Sequence, residues 1–308
     1  NGTDALTVSL KSFNFPKNSE VIIPAMTYCS TAFSIINAGL KPVLVDLKKN
    51  TPTIDIHLLK KKISKKTKAI MPVHLYGSVA EIKKIKKIIR KKNIYLIDDC
   101  SQAHGAFEEI NKSSKQRIGS GADISCFSLY PGKNLGAYGD AGVITTNNLN
   151  YYKKIKKIIN LGSSKKFVHD LVGVNNRLDT IQAIILGHKL KKLDFYNYKR
   201  INIAKKYDLL INNKKIQKLS YSKYCVYHQY VILVKNKKKL IKKFDKYKIQ
   251  YGFHYPSALH QLKSLKKYFI NKKYPNAQRI AKEGLSLPIN PLLKTKEIKK
   301  ICSIINSI

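Results

Sequence analysis

The sequence predicts an α/β protein: a mainly parallel sheet flanked by helices, followed by a smaller α+β region. Two observations carry this. Through the first two-thirds of the 308 residues, short β-rich runs alternate with longer amphipathic ones. The short runs are apolar throughout, the pattern of strands buried on both faces. After about Tyr151 the character changes, which predicts a division into residues 1–200 and 201–308.

In chain order, residues 21–24, 43–45, 69–73, 94–97, 124–128 and 143–146 read as strands. Residues 30–38 and 81–92 read as helices, the second with Ile82, Ile85, Ile88 and Ile89 at helical spacing. A Lys/Ile helix then leads to a polar loop near 162–173. One long helix is expected from about Thr180 to Leu193 and on past Tyr198. The remainder reads as a strand at 227–234, a helix at 237–246, a short strand near 249–254 and a terminal helix.

The formal net charge is +41, from 59 basic and 18 acidic residues. Only five of the basic residues are Arg; 54 are Lys. Such an excess suits a nucleic-acid binder. Here, however, Lys is spread through nearly every helical stretch, which reads as solvated faces. No partner nucleic acid is expected, although the charge would steer anionic small molecules inward. Cys29, Cys100, Cys126, Cys225 and Cys302 are odd in number and widely spaced. They form no bridging framework and no metal clamp, so a reducing, cytoplasmic setting and no metal are expected. No run of eighteen uncharged apolar residues and no signal peptide is present, so no membrane association is expected.

Four segments gather special residues at predicted strand ends, where open α/β sheets place ligands. Residues 1–6, Asn-Gly-Thr-Asp-Ala-Leu, offer backbone N–H groups at a helix start to a phosphate, or are a plain capped helix. Residues 96–105 place Asp98 and Asp99 after an apolar strand, with Gln102 one helical turn on. One carboxylate could pair with a cationic ring nitrogen, or simply cap a helix. Lys133 follows a strand and a Pro-Gly turn, in a stretch with no other Lys between 116 and 152. It reads as an amine nucleophile of lowered pKa, or as an exposed turn lysine. Tyr28 could stack on a flat ring or pack in the core. A phosphate cradle, a carboxylate, a stacking aromatic and an amine are together what pyridoxal 5′-phosphate requires of a protein.

Five motifs carry a resemblance over practically the whole chain. They are Asn-Gly-Thr-Asp-Ala-Leu (1–6), Pro-Val-His-Leu-Tyr-Gly (72–77), Asp-Asp-Cys-Ser-Gln-Ala-His-Gly-Ala (98–106), Phe-Ser-Leu-Tyr-Pro-Gly-Lys-Asn-Leu-Gly-Ala (127–137) and Asn-Arg-Leu-Asp-Thr-Ile-Gln-Ala (176–183). In these the chain resembles the sugar aminotransferases of the DegT/DnrJ/EryC1/StrS family, which have the fold type I, aspartate aminotransferase-like architecture.

The resemblance implies that Lys133 holds the cofactor covalently and that Asp99 pairs with its ring nitrogen. It implies that Gln102 lies by the ring oxygen, that Tyr28 stacks on the ring, and that Gly2, Thr3, Asp4 (through its backbone) and Ser128 hold the phosphate. Asn175 matches the residue that reaches the phosphate of the neighbouring subunit in a homodimer. His169, His254, Tyr255 and His260 are expected on the sugar side. The implied reaction passes the amino group of L-glutamate to a nucleotide-diphosphate-linked keto-sugar, for amino-sugar and surface polysaccharide (O-antigen) biosynthesis. Phe167-Val168-His169 and the Asn-Arg-Leu-Asp ending of that loop most resemble members acting at the sugar C3 carbonyl, as on a 3-keto-6-deoxyhexose; members acting at C4 more often carry a Tyr-Arg-Met version. Family members usually have some tens of residues before the Asn-Gly-Thr loop, so an upstream segment is expected to be missing here. The alternatives are a C4-specific enzyme of the same family and a non-enzymatic basic nucleic-acid-binding protein.

Overall fold

The computed structural model describes residues 1–111, 113–270 and 272–308. Helix α1 (Gly2–Ser12) opens the chain, capped by Asn1, whose side-chain oxygen accepts the Asp4 N–H at 2.9 Å. Strand β1 (Glu20–Pro24), α2 (Cys29–Asn37), β2 (Lys41–Val45), α3 (Ile56–Lys62), β3 (Thr67–Ile70), α4 (Ile82–Ile89) and β4 (Tyr95–Asp99) then alternate. A hairpin of β5 (Phe107–Glu109) and β6 (Lys115–Arg117) precedes β7 (Ile124–Ser128) and β8 (Gly142–Thr145). After α5 (Leu149–Ile159) come a second hairpin, β9 (Ser163–Lys165) and β10 (Val168–His169), and the helices α6 (Thr180–Leu190) and α7 (Leu193–Leu210). The chain closes with β11 (Ile216–Lys218), β12 (Tyr230–Val234), α8 (Lys237–Lys246), α9 (Pro275–Glu283), β13 (Gly284–Leu287) and α10 (Thr295–Asn306).

Six strands make one sheet in the order β2-β1-β3-β4-β7-β8, parallel except for the edge strand β8. From β1 the chain moves outward to β2, then returns across the sheet to β3. The reversal opens a crevice at the carboxyl ends of β1 and β3. Successive residues of β1 face opposite cores: Val21 and Ile23 pack with α1 and α2, while Ile22 packs with α3 and α4. Each such fully buried aliphatic side chain contributes about 1.5–3 kcal/mol.

A second core forms between the antiparallel sheet β11-β12-β13 and helices α7, α8 and α10, around Tyr207, Tyr230, Phe244 and Ile298. Carboxyl-terminal residues also enter the first core, among them Ala258, Leu259, Leu265, Ala277 and Ile280. The lysines of α4 (83, 84, 86 and 87) are exposed, while Ile82 and Ile85 of the same helix are buried. Among the described residues, no helix is long and apolar enough to cross a membrane.

Several expected elements need correction. The strand expected at 69–73 ends at Ile70, and the chain beyond it bends into a single 3-10 turn, Leu75–Gly77. The strand expected at 249–254 is only one bridge, Gly252 to Ser286. The expected long helix is two. Lys191 and Lys192 carry no helix-breaking signal; the turn lets Leu193 drop onto Gly105, where a Cβ would lie 3.1 Å from the leucine. No helix follows β4 either. Residues 101–105 turn instead, so Gln102 is not one helical turn beyond Asp98.

Candidate active site

The carboxyl ends of β1, β4 and β7 and the start of α1 surround one cavity of about 680 Å³. Gly2, Thr3, Asp4, Tyr28, Asp99, Gln102, Ser128, Lys133 and Tyr255 all line it. These nine residues come from segments spread between positions 2 and 255, and the fold brings them together.

The start of α1 lies hard against the sheet. A Cβ on Gly2 would sit 2.5 Å from Ser128 Cβ, and one on Gly142 would sit 2.4 Å from the Asn1 carbonyl oxygen. Glycine at both positions is what lets the helix terminus reach the ends of β7 and β8. There the N–H groups of Gly2 and Thr3 meet no acceptor among the described residues. Free donors at a positive helix end, beside the Ser128 hydroxyl, suit a phosphate. The Asp4 N–H is already taken by Asn1 Oδ1, and the Thr3 hydroxyl donates to Ser30 at 2.8 Å.

Asp99 ends β4 and is 4% exposed. Its Oδ2 accepts from the Thr31 hydroxyl at 2.9 Å, and its Oδ1 accepts from the Ser101 N–H at 3.2 Å. Lys133 sits in the turn after β7, its N–H donating to the Tyr130 carbonyl at 2.9 Å. Burial holds the Lys133 amine below the ordinary lysine pKa, and the Asp99 charge opposes that fall. Three histidines share the surroundings of this amine. His104 is pushed down to about 3 by burial and then by Lys133. His228 and His254 are lowered by the same two causes. Their rings are thus neutral, and they add no charge to compete with the lysine.

Tyr28 caps α2 with half its surface open, its ring 5.4 Å from that of Tyr255. Gln102 is engaged at both ends: Oε1 accepts the Tyr76 N–H at 2.6 Å, and Nε2 donates to the Tyr255 hydroxyl at 2.9 Å. Tyr76 is fully buried with φ of 60°, a left-handed backbone that a bulky side chain adopts only under tight restraint. Its own hydroxyl donates to the His254 carbonyl.

Four expected residues lie outside the cavity lining. Asn175 is exposed and bridges to Asn160. His169 is exposed on β10, its Nδ1 2.9 Å from the Leu161 carbonyl. His260 is buried with its ring against Tyr274. His254 pairs with Ser286 Oγ at 2.8 Å, although its neighbour Tyr255 does reach the cavity. Among the residues not foreseen, Thr27, Ser30, Thr31, Tyr130 and Asp140 line the cavity, while His104 and His228 feel the Lys133 charge. His104 stood inside a quoted motif without a role. The only sign of the two threonines is their spacing, four apart at a helix start.

The side chains of His74, Asp98 and Cys100 also converge, buried behind the cavity. His74 Nδ1 accepts the Ala80 N–H at 3.0 Å, which places the ring proton on Nε2, 3.7 Å from Asp98 Oδ2. A nitrogen that carries its proton is not a metal ligand, and at 3.7 Å it makes no hydrogen bond to the carboxylate.

The architecture is an α/β sheet with a ligand crevice at its switch point, and comparison narrows its class. The chain belongs to the DegT/DnrJ/EryC1/StrS aminotransferase family, whose model matches residues 1–306. It is 38% identical to dTDP-3-amino-3,6-dideoxy-alpha-D-galactopyranose transaminase of Aneurinibacillus thermoaerophilus, over 99% of this chain and 83% of that protein. It is 35% identical to dTDP-3-amino-3,4,6-trideoxy-alpha-D-glucose transaminase of Streptomyces venezuelae, where the match spans 67% of this chain and only 53% of the relative. Among solved structures, S. venezuelae DesV in complex with a ketimine intermediate superposes with a TM-score of 0.95 at 30% identity, covering 99% of this chain and 82% of that one. Bacillus subtilis NtdA with bound cofactor PMP superposes with a TM-score of 0.90 at 26% identity, covering 100% and 72%.

Proposed function

We propose that the protein transfers the amino group of L-glutamate to the keto carbon of a nucleotide-diphosphate-linked sugar, with pyridoxal 5′-phosphate as cofactor and Lys133 and Asp99 as catalytic residues. The observation that carries this is the shared cavity: a buried carboxylate, a partly desolvated amine and the free N–H groups of α1 open onto one space. These residues fit the cofactor. When bound, pyridoxal phosphate supplies an aldehyde carbon that accepts the amino group and a ring that draws electrons from it.

The protein's part is positional and acid–base. Gly2 and Thr3 N–H groups and Ser128 hold the phosphate; Tyr28 covers the ring face. Asp99 keeps a proton on the ring nitrogen, which raises the ring's pull on electrons. Lys133 would anchor the cofactor and, as a free amine, would take a proton from the donor Cα as general base. Its lowered pKa puts more of the amine in the free form near neutral pH. Tyr255, which lines the cavity, faces the substrate, and His254, His169 and His260 are our candidates for contacts to the sugar.

The finer reading is amination at C3 of a 3-keto-6-deoxyhexose, in a cytoplasmic pathway to a surface polysaccharide. The names of the two relatives above support C3, as do Asn176 to Asp179. We read the enzyme as a homodimer, each copy divided near residue 200. Asn175 stands outside its own chain's cavity, as a residue serving a second copy must.

The test is a panel of nucleotide-linked 3-keto and 4-keto sugars with glutamate as donor. Amination of a 3-keto member is the expected result; amination of 4-keto members alone overturns the C3 reading. Lys133→Ala should abolish both turnover and the visible band that the covalent link to Lys133 gives the cofactor. Survival of either overturns the role of Lys133.

A further inference from the structure

No cation holds the Asp99 carboxylate: among the described residues, no lysine, arginine or histidine forms an ion pair with it. The Ser101 N–H holds its Oδ1 at 3.2 Å, and a short chain of hydroxyls holds its Oδ2. Thr31 Oγ1 donates to Asp99 Oδ2 at 2.9 Å, and Thr27 Oγ1 lies 3.0 Å from Thr31 Oγ1. The three side chains are 3%, 1% and 4% exposed in the order Thr27, Thr31, Asp99. Thr31 has one hydroxyl proton and gives it to Asp99, so the proton between the threonines comes from Thr27. The direction of the chain is therefore fixed: Thr27 to Thr31 to Asp99.

A neutral donor has a specific merit here. A lysine or arginine in the place of Thr31 would orient the carboxylate but also cancel much of its charge. A hydroxyl orients it and leaves the charge available to whatever cation faces the cavity. The same segment also carries Tyr28 on its open side and Ser30, which accepts from Thr3. One turn of chain thus touches the carboxylate, the stacking ring and the phosphate cradle.

We propose that Thr31 is a positioning residue for the transamination: with Thr27 behind it, its hydroxyl locks Asp99 in the orientation that holds the proton on the cofactor's ring nitrogen. This rests on the reading of Asp99 given above. Thr31 touches neither cofactor nor substrate in this role.

The test compares Thr31→Val, Thr31→Ser and Asp99→Asn, singly and with Thr31→Val and Asp99→Asn combined. Three quantities are read: the dissociation constant of pyridoxal phosphate from the apoprotein by equilibrium dialysis, the pH titration of the bound cofactor's absorbance, and kcat and KM for glutamate. Thr31→Val should weaken cofactor binding about tenfold and lower kcat about 10- to 100-fold, as for loss of a hydrogen bond to a charged group. KM should hardly move, and the absorbance titration should shift. Thr31→Ser, which keeps the hydroxyl, should recover most of each effect. In the Asp99→Asn background, Thr31→Val should cost little more.

Unchanged binding and titration in Thr31→Val overturn the proposal. So does a Thr31→Ser variant as impaired as Thr31→Val, because packing would then explain the loss. If Thr31→Val does not fold, Thr31→Ser and Thr27→Val decide: the proposal requires the first to stay near wild type and the second to shift the titration. Asp99→Asn with normal spectrum and rate overturns the reading of Asp99 itself; Asp99→Asn impaired beside a normal Thr31→Val overturns only the role of Thr31.

Discussion

The Gln102 side-chain amide donates to the Tyr255 hydroxyl at 2.9 Å, across 153 residues of sequence. The bond ties the turn after β4 to the carboxyl-terminal segment that forms one wall of the cavity. Because Gln102 Oε1 also accepts the buried Tyr76 N–H, one side chain satisfies two separate pieces of chain. Gln102→Ala would leave that N–H without a partner, at a cost of about 1–3 kcal/mol. Tyr255→Phe removes only one bond and should cost about 1 kcal/mol. Thermal unfolding of the apoproteins should rank them wild type, Tyr255→Phe, Gln102→Ala. The reverse order would mean that the Gln102 network is not what holds Tyr76.

Gly2→Ala should leave most of the fold intact and damage the phosphate cradle. The added methyl would meet Ser128 Cβ at 2.5 Å, so the start of α1 must move away from β7. Strain of this kind is typically about 1–3 kcal/mol, and it falls on the two free N–H groups. Cofactor affinity should drop about tenfold or more in equilibrium dialysis. A variant that binds pyridoxal phosphate like the wild type would show that the N–H groups of Gly2 and Thr3 are not the anion site.

Lys133→Met should raise the stability of the apoprotein while abolishing activity. Burial disfavours the charged amine, so the unfolded chain binds this proton more tightly than the folded one. The folded state is therefore penalised at neutral pH, and stability rises as pH climbs toward the ordinary lysine value of 10.5. Removing the amine removes the penalty, by about 0.5–2 kcal/mol if it resembles other relieved functional sites. Denaturant midpoints at pH 7 measure this; a less stable Lys133→Met apoprotein contradicts it.

His104 gives a second pH dependence. Its folded pKa of about 3 lies below the ordinary 6.5, so the folded state resists a proton that the unfolded chain accepts. Stability is full above pH 6.5 and is lost as pH falls from there toward 3. His228 and His254 act in the same direction. His104→Gln should flatten, though not abolish, the decline of the unfolding midpoint between these values. An unaltered slope would show that His104 titrates normally.

The elements that position the site were largely legible in the sequence, because strands buried on both faces write themselves as unbroken apolar runs. Residues 124–128 match β7, and residues 237–246 match α8. The failures have a common physical origin. The short hairpins β5–β6 and β9–β10 are mostly polar and half solvated, so they leave no apolar period to read. The break between α6 and α7 is imposed by packing of Leu193, not by any local propensity. Around the cavity, special residue types stood out in the sequence: a lysine isolated in a Lys-rich chain, paired aspartates after a strand, a glycine at a helix start. Thr27 and Thr31 did not, because buried threonines are common, and only their alignment on Asp99 distinguishes them. His260 and His169, conspicuous in sequence, do not line this chain's cavity: one packs on Tyr274 and the other lies on an exposed hairpin.

Ala258, Leu259, Ala277 and Ile280 share a core with Leu6, Leu10 and Met71. Residues 258–280 must emerge and dock before this core is complete. Until they do, the part of it that they cover is open to other chains, so partly folded copies expose an apolar surface that the finished fold hides.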